Sequence, residues 1–298
     1  MPYLLGLTFQ RKPTMTFVSE PLDLPDTIFV LLRDLIHERT GLYYEPGKRE
    51  MLAYKLSPRA IECGCDSFLD YYYLLKYDAN ADREWVQVLD ALAVPETFFW
   101  RESEQIEALV DVILPQYWKA KTEPSRLSRP FRIWSAACSS GEEPLSIAIA
   151  LHERGWFERM PIEIYGTDAS TRAIAQAKKG LYRERSFRTI SPTLKRKYFT
   201  PTGHQWQIAP EIHRRIQWAV TNLLVPTQNW KFAGSDVIFC RNVFIYFSED
   251  SIRKTVSFFF DRMPSPGYLS IGASESLLKL NTDFQFQEIG GAFVYLKH

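Results

Sequence analysis

Hydrophobic and polar residues follow different periodicities in the two parts of this chain. Over residues 23–93 the apolar positions recur at helical spacing, as in Phe29, Leu32 and Ile36, and no alternating stretch of useful length interrupts them. After a first helix that ends near Gly41, further helices are predicted at 46–63, 67–77 and 82–92. Residues 23–93 are therefore predicted to form a small all-helical domain, preceded by a loosely ordered extension over 1–22.

Beyond residue 130, short apolar runs alternate with helical patterns. Strands are predicted at 131–135, 162–167, 216–221, 237–240, 268–271 and 292–296. Helices are predicted to begin near Pro144, Thr171 and Ser248, and less distinctly near Leu194. This alternation predicts an α/β domain over 131–298 with a mainly parallel sheet and right-handed crossovers. Residues 94–130 connect the two domains through an amphipathic helix at 103–118 and a polar loop at 119–130.

Composition narrows the classes of function. The 298 residues carry a net charge of +1, so no overall field attracts nucleic acid. No apolar run is long enough to span a bilayer, and the first 16 residues do not resemble a signal peptide. The four cysteines are few for the length, which predicts a reducing cytoplasm. Cys63 and Cys65 resemble half of a metal site, but no second Cys/His pair at zinc spacing accompanies them, so no metal is predicted.

The segment 132–149 carries the most specific chemical signal. A short strand leads into a loop of very small residues, and a helix then starts on Glu142 and Glu143. Such a loop at the carboxyl end of a strand lets a ligand lie against the backbone. Acids at the helix start repel phosphate and accept hydrogen bonds from hydroxyl or amino groups. The segment predicts a nucleoside ligand without phosphate, such as S-adenosylmethionine, and does not decide which glutamate faces it.

Two other strand ends carry polar residues. Asp168 follows the strand 162–167, where an acid commonly accepts hydrogen bonds from ribose hydroxyls, although it could instead cap the following helix. Arg241 and Asn242 follow the strand 237–240, and Tyr246 lies five residues beyond Arg241. The apolar neighbours of Tyr246 are predicted to be core, whereas Tyr246 itself is a candidate site residue.

The seam between the domains and the second helix provide the remaining candidates. Thr97 and Arg101 flank an aromatic triplet where the helical domain meets the sheet domain, a favourable place for a ligand cleft. Lys48, Lys55 and Arg59 fall on one face of the helix predicted at 46–63. That face is either simply solvated or a docking strip for an acidic partner.

Four blocks, at residues 96–102, 134–149, 239–247 and 267–276, occur in the order typical of one protein family. Together they resemble the CheR family, the S-adenosylmethionine-dependent protein-glutamate O-methyltransferases of bacterial chemotaxis. The resemblance runs from about Asp26 to Lys297. It implies a class I methyltransferase fold, Rossmann-like, with a small N-terminal helical domain and a small inserted antiparallel β-subdomain within about 199–217.

The resemblance also implies roles for single residues. Tyr246 matches a tyrosine near the transferred methyl group, and Lys48, Lys55 and Arg59 match the helix that approaches the glutamate-bearing helices of the receptor. The cofactor is S-adenosylmethionine, the product S-adenosylhomocysteine, and the partners are the cytoplasmic helices of chemoreceptors, approached by a monomer. The implied cofactor contacts are Thr97, Arg101, Ala136, Glu142, Glu143, Asp168, Asn222, Leu223, Arg241 and Asn242.

Some positions depart from the family pattern. Pro95 and Trp100 stand where the family often has Asn and Phe, and Lys55 replaces a usual Arg. Residues 200–208 form a shorter segment than in members that bind a receptor pentapeptide, so no pentapeptide tethering is predicted.

The expected mechanism follows from the ionised state of a glutamate at neutral pH, which makes a general base unnecessary. Arg101 or Arg241 is expected to orient carboxylates, and Tyr246 to position the reacting group. Two alternatives stay open: a methyltransferase of this fold with another acceptor, and a cofactor-binding signalling protein without turnover.

Overall fold

The computed structural model describes residues 21–120, 129–280 and 282–298. The extension predicted at 1–22 and the loop predicted at 119–130 lie largely outside these residues.

The N-terminal part is all-helical, as the apolar spacing predicts. Gly41 ends the first helix in a left-handed conformation with φ of 77°, and the Ser67 hydroxyl caps the third by accepting from the Asp70 backbone N–H. Buried residues such as Leu32, Leu56 and Tyr71 form its own core. The helices are α1 (Asp26–Thr40), a 3₁₀ turn (Pro46–Lys48), α2 (Arg49–Glu62), α3 (Phe68–Tyr77) and α4 (Ala81–Leu92).

A longer helical stretch then leads to the sheet domain. It consists of α5 (Ser103–Ala108), a π-helical segment (Leu109–Ile113) and α6 (Leu114–Ala120). Ile106, Leu109 and Ile113 are buried and pack in the core of the sheet domain. The predicted helix at 103–118 therefore belongs to the sheet domain in its packing, although it precedes the first strand.

The sheet domain is built on seven strands in the spatial order β6-β2-β1-β7-β8-β10-β9. The first five of these run parallel, and β10 runs antiparallel to both of its neighbours. The chain order reverses between β1 and β7, so the carboxyl ends of these strands form a crevice where ligands bind in such sheets. The strands are β1 (Phe131–Ala136), β2 (Ile162–Asp168), β6 (Ile216–Val220), β7 (Val237–Cys240), β8 (Gly267–Ser270), β9 (Gln285–Ile289) and β10 (Ala292–Lys297).

Helices cover both faces of this sheet and bury two apolar layers. Strand β1, buried except at Arg132, illustrates the arrangement, because Ile133 packs in one layer and Trp134 in the other. The hydroxyls of Ser170, Ser191 and Ser248 cap the helices that begin one residue later, at Thr171, Pro192 and Glu249. The helices are α7 (Glu142–Glu153), α8 (Trp156–Arg159), α9 (Thr171–Lys179), α10 (Pro192–Tyr198), α11 (Pro210–His213), α12 (Pro226–Ala233) and α13 (Glu249–Arg262).

A small antiparallel sheet is inserted after α9, and its extent differs from the range predicted. Its strands are β3 (Leu181–Tyr182), β4 (Phe199–Thr202) and β5 (Gln205–Ile208), in the order β3-β5-β4. The prediction placed the whole subdomain within 199–217. However, β3 precedes that range, and Ile216 and Gln217 belong to β6 of the central sheet. The β3 strand is too short to show a pattern in the sequence.

Candidate active site

A cleft of about 980 Å³ lies between the helical domain, the linker after α4 and the carboxyl ends of β1, β2 and β7. This volume is at the upper end of the range typical for small-molecule sites. The small-residue loop after β1 forms part of its floor, together with the loops after β2 and β7. The cleft thus lies where the strand order of the sheet predicts a ligand site.

The loop after β1 holds a backbone conformation that is unusual for its residues. Ala137 and Ser139 have φ of 58° and 50°, in the left-handed region, and neither is glycine. Gly141 has φ of 94°, and a Cβ there would lie 2.7 Å from the Trp218 ring. Strain of this kind persists where the surrounding structure enforces it, commonly at functional sites. The side chains of this loop are therefore small for two reasons. The loop packs closely against Trp218, and its backbone is exposed to the cleft.

Asp168 connects the loops after β1 and β2. Its Oδ2 accepts the backbone N–H of Ser139, and its Oδ1 accepts that of Ser170, each at 2.8 Å. Burial raises the pKa of this carboxyl above its ordinary value, and the backbone hydrogen bonds oppose that shift. The cap of α9 is Ser170 rather than Asp168. Each Asp168 oxygen keeps acceptor capacity beyond its backbone bond, so the carboxylate can still receive hydroxyl groups.

Glu142 and Glu143 have different environments. Glu142 is 2% exposed, and its two oxygens accept hydrogen bonds from the hydroxyls of Ser140 and Ser186. The Glu143 side chain is 16% exposed, accepts from Ser135 and lies 3.2 Å from the Arg241 guanidinium. Burial raises the pKa of both carboxyls. Glu142 therefore anchors the segment that contains Ser186, whereas Glu143 is the more accessible of the two.

Arg241 lies at the centre of a buried ion-pair network. Its side chain is 2% exposed, and its guanidinium pairs with Glu102 at 3.1 Å and with Glu143 at 3.2 Å. It also donates to the backbone carbonyl of Arg101 at 2.6 Å. Its Nε is buried without a hydrogen-bond partner among the described residues. Arg241 thus ties the linker to the sheet, and most of its donors are already occupied by protein groups.

Glu102 and Glu275 hold the loop after β7 in place. Asn242 has φ of 56°, and its side chain donates to Glu102. Glu275 accepts the backbone N–H groups of Asn242, Gly272 and Ile245 at 2.9, 2.6 and 3.2 Å. A Cβ on Gly272 would lie 2.4 Å from the Asn242 amide, so this close approach requires glycine.

The linker contributes Thr97 and Arg101 to the cleft. Its aromatic triplet is anchored by Phe99, which is fully buried among Tyr182, Phe187 and Phe199. Arg101 donates to the Glu96 carbonyl at 2.7 Å, and its side chain is 27% exposed. Its carboxylate partner is Glu102 at 3.9 Å, a longer pair than those of Arg241 at 3.1 and 3.2 Å.

Tyr246 borders the cleft on the 3₁₀ turn that follows the β7 loop. It is 37% exposed, its carbonyl accepts the Tyr43 N–H at 2.8 Å, and burial raises the pKa of its hydroxyl. Tyr44 also lines the cleft, and burial, with a smaller contribution from Tyr246, raises its pKa to about 12. Both phenols stay protonated near neutral pH, so they act as hydrogen-bond donors there and not as bases.

The loop after β6 joins the cleft to the helical domain. Asn222 and Leu223 both line the cleft. The Asn222 amide donates to the carbonyl of Arg39 in α1 at 2.8 Å. On the opposite side, Asp90 of α4 accepts from the hydroxyls of Ser170 and Thr171 at the start of α9. These bonds fix the helical domain against the sheet on two sides of the cleft.

Nine of the ten predicted cofactor residues line the cleft. The exception is Ala136, which is 1% exposed and packs in the core of the sheet. Ala137 lines the cleft instead, because the chain leaves the strand one residue later than the prediction assumed.

The predicted docking residues do not form one free cationic strip. Lys48 is exposed and lines the cleft together with Lys55. Lys55 is half-buried and donates to the Leu92 carbonyl at 2.9 Å, and burial lowers its pKa. Arg59 does not line the cleft but forms a bidentate pair with Glu84 of α4, at 3.0 and 2.6 Å. The Arg59 charge is therefore paired within the helical domain.

Several site residues carry no signal that sequence reasoning could use. Glu102 and Glu275 lie within blocks that resemble the family, but their roles depend on contacts with the distant Arg241–Asn242 loop. Tyr44 and Asp90 lie in the helical domain and reach the site only through the docking of the two domains.

Cys63 and Cys65 are free thiols, and no group of three metal-binding side chains occurs among residues 21–120, 129–280 and 282–298. Within the same ranges, no helix is long and apolar enough to cross a membrane.

Comparison with known proteins gives consistent matches over both domains. Residues 95–292 match "CheR methyltransferase, SAM binding domain", and residues 28–93 match "CheR methyltransferase, all-alpha domain". The chain is 34% identical to chemotaxis protein methyltransferase 2 of Vibrio cholerae serotype O1 over 275 residues, which cover 91% of this chain and 93% of the relative. It is 32% identical to the chemotaxis protein methyltransferase of Klebsiella aerogenes, with coverage of 90% and 89%.

Proposed function

The chain belongs to the CheR methyltransferase family, and from this premise we propose that its cleft transfers methyl groups to glutamate carboxylates of chemoreceptors. It is an S-adenosylmethionine-dependent methyltransferase with the two domains of that family. The observation that carries the proposal is the convergence of Asp168, Glu143 and Arg101 in one cleft between these domains.

The residues of the cleft fit S-adenosylmethionine by the chemistry of their donors and acceptors. Asp168 offers carboxylate lone pairs for ribose hydroxyls at the end of β2. Glu143, the more accessible glutamate, offers a negative charge for an amino group. Arg101 offers guanidinium donors that suit a carboxylate. When bound, the cofactor would supply a methyl group that is activated because it is bonded to a positively charged sulfonium sulfur.

The protein's own contribution to the reaction is positioning and exclusion of water. An ionised substrate carboxylate is already the nucleophile, so no proton has to be removed from it. The chain must strip water from that carboxylate and hold it at a fixed angle. Tyr246 and Tyr44 provide protonated hydroxyls at the cleft for this orientation.

We assign different roles to the two arginines that the sequence left as alternatives. Arg241 is a positioning residue, because its side chain is buried and Glu102, Glu143 and the Arg101 carbonyl already engage both of its terminal nitrogens. Arg101 is more exposed, and its pair with Glu102 is long, at 3.9 Å, so it is the better candidate for direct contact with a carboxylate. Asn222, Leu223 and Asn242 complete the pocket from neighbouring loops.

The same proposal covers the partner and the setting. The enzyme acts as a cytoplasmic monomer on the cytoplasmic helices of chemoreceptors. It binds no receptor pentapeptide, because the β4–β5 hairpin is short and turns at Gly203 with φ of 57°. A titration of the chain with a receptor C-terminal pentapeptide should show no saturable binding, and micromolar affinity would contradict this part.

The test of the function is transfer of radiolabelled methyl groups to a purified receptor cytoplasmic fragment. A carboxyl methyl ester is labile to base, so mild alkali should release the label as methanol. A label that resists alkali would indicate another acceptor atom, and absence of label with tight cofactor binding would favour a signalling protein without turnover.

A further inference from the structure

A row of exposed cations borders the cleft on the side of α9, and none of the roles described above uses it. Lys179 lies in the last turn of α9, and Arg183 and Arg185 follow β3. All three line the cleft and are exposed. Within the described parts of the chain, none of them takes part in a salt bridge or a side-chain hydrogen bond. We call these three residues the α9 row.

The neighbouring acid does not neutralise this row. Glu184 lies between Arg183 and Arg185, but its carboxylate bonds Lys195 at 2.6 Å and the Trp206 indole at 2.9 Å, on the side of the small sheet. Arg183 and Arg185, on either side of Glu184 in the chain, both line the cleft. A concentrated positive charge therefore remains at this rim, in a chain with a net charge of only +1.

Of the other cations that line the cleft, Lys48 is also exposed, on the opposite side, and Arg101 is assigned to the cofactor site, whereas the rest are used internally. Arg241 pairs with Glu102 and Glu143, and Lys55 donates to a backbone carbonyl. Arg172, the second residue of α9, donates to the Asp90 carbonyl. The α9 row therefore supplies unpaired positive charge, whereas the predicted strip on α2 supplies little.

The row is also continuous with the floor of the site. Arg185 directly precedes Ser186, whose hydroxyl bonds Glu142, and the Tyr182 hydroxyl bonds the Ser140 carbonyl. A substrate segment that lies along the row would thus enter the cleft beside the loop after β1.

From this placement we propose that the α9 row docks acidic side chains of the substrate protein that flank the glutamate to be methylated. This inference rests on the function proposed above and names the surface that selects its substrate. The occupant is a segment that carries several carboxylates, because exposed unpaired cations at a rim attract opposite charge and steer its approach. Such contacts act mainly on the capture of substrate and weaken in salt.

The decisive experiment compares two double charge reversals that change the net charge equally. The test variant is Lys179→Glu with Arg183→Glu. The matched control is Lys178→Glu with Arg196→Glu, because both control residues are exposed, make no ion pair in the described chain and do not line the cleft. Lys178 shares the last turn of α9 with Lys179, so effects on the helix end are matched.

Methylation of a receptor cytoplasmic fragment is measured at low and high salt, and cofactor affinity by calorimetry. In the test variant we expect KM for the fragment to rise about tenfold with kcat and cofactor affinity unchanged, and its salt dependence to flatten. The control should stay within about twofold of the wild type, as surface substitutions commonly do.

Three results would overturn the inference: an unchanged KM in the test variant, an equal rise in the control, or a loss of cofactor affinity, which would place the row in the cofactor site. Sedimentation with phosphatidylserine vesicles tests a lipid surface as the alternative occupant. Loss of vesicle binding in the test variant, with normal KM, would assign the row to the membrane. A wild-type enzyme that does not methylate the fragment would instead contradict the proposed function itself.

Discussion

At the scale of single residues, the cleft depends on carboxylates held in unusual environments. Asp168, Glu142 and Glu143 all have a raised pKa, and burial is the main cause for each. The structure offsets this cost with hydrogen bonds from backbone N–H groups, serine hydroxyls and Arg241. Titratable groups shifted in this way are common where a protein prepares a polar site before its ligand arrives.

Replacement of Asp168 by Ala tests the ribose contact. Loss of a carboxylate acceptor is expected to weaken cofactor binding about 10- to 100-fold, since hydrogen bonds to charged groups are worth about 1.5–3 kcal/mol. Isothermal titration with S-adenosylhomocysteine measures the effect. Glu163→Ala, at the other end of the same strand, is the control, and equal losses in both variants would contradict the assignment.

Replacement of Glu142 by Gln tests the buried charge through its pH dependence. Because burial raises the pKa of Glu142 above 4.5, the folded wild type binds this proton more tightly than the unfolded chain. The wild type therefore loses stability as pH rises from 4.5 through the raised pKa, whereas Gln does not titrate. The free energy of unfolding of the variant, relative to the wild type, should increase over that window in urea titrations.

Loss of a hydrogen bond from Ser140 or Ser186 would change the difference in free energy of unfolding by the same amount at every pH. If the free energies of unfolding of the two proteins followed parallel curves across the pH range, folding would not raise the pKa of Glu142, and the prediction would be wrong.

Replacement of Tyr246 by Phe removes a cleft hydroxyl and leaves the ring. Because the phenol stays protonated and orients rather than abstracts, we expect kcat to fall about tenfold, as for the loss of a hydrogen bond of about 1.4 kcal/mol. Steady-state kinetics should show an unchanged KM for the cofactor. Methyl transfer at the wild-type rate would remove the hydroxyl from the mechanism.

At the scale of secondary-structure elements, contacts between the domains fix the shape of the cleft. The Asp90 carboxylate in α4 accepts from Ser170, Thr171 and the Arg172 backbone, so one domain caps a helix of the other. On α1, His37 bonds Ser248, which caps α13. A helix start that is satisfied from another domain makes docking of the domains part of the stability of that helix.

Replacement of Asp90 by Ala tests this coupling. Loss of a cap is expected to cost about 1 kcal/mol of stability. Cofactor affinity should fall as well, because Asp168 binds the Ser170 backbone within the same turn. Thermal unfolding and calorimetry measure the two effects, with Asp82→Ala on the same helix as control. Reduced stability with unchanged cofactor affinity would show that Asp90 of α4 does not influence cofactor binding.

At the scale of the whole molecule, the apolar pattern predicts most of the architecture, since buried strands and amphipathic helices leave clear periodicities. All six strands predicted in the central sheet are present. β9 was not predicted, because it is an edge strand with mostly exposed side chains and shows no core-facing alternation. The two residues of β3 are too few to form a pattern.

The candidate site was predictable where chemistry follows a strand end, as at Asp168 and Arg241. It was not predictable where the role of a charged side chain depends on whether another side chain forms an ion pair with it. The sequence predicts Arg59 as a docking residue, but in the structure Glu84, 25 residues away, pairs with it. Similarly, the sequence could not show that Lys179 and Arg183 keep their charges free.

The most direct test of the central claim is mass spectrometry of a receptor cytoplasmic fragment after incubation with this enzyme and S-adenosylmethionine. The account predicts peptides heavier by one methyl group, with the modification on glutamate side chains, and its loss in fragments whose modified glutamates are replaced by alanine. Modification of any other residue type, or unmodified peptides despite bound cofactor, would contradict it.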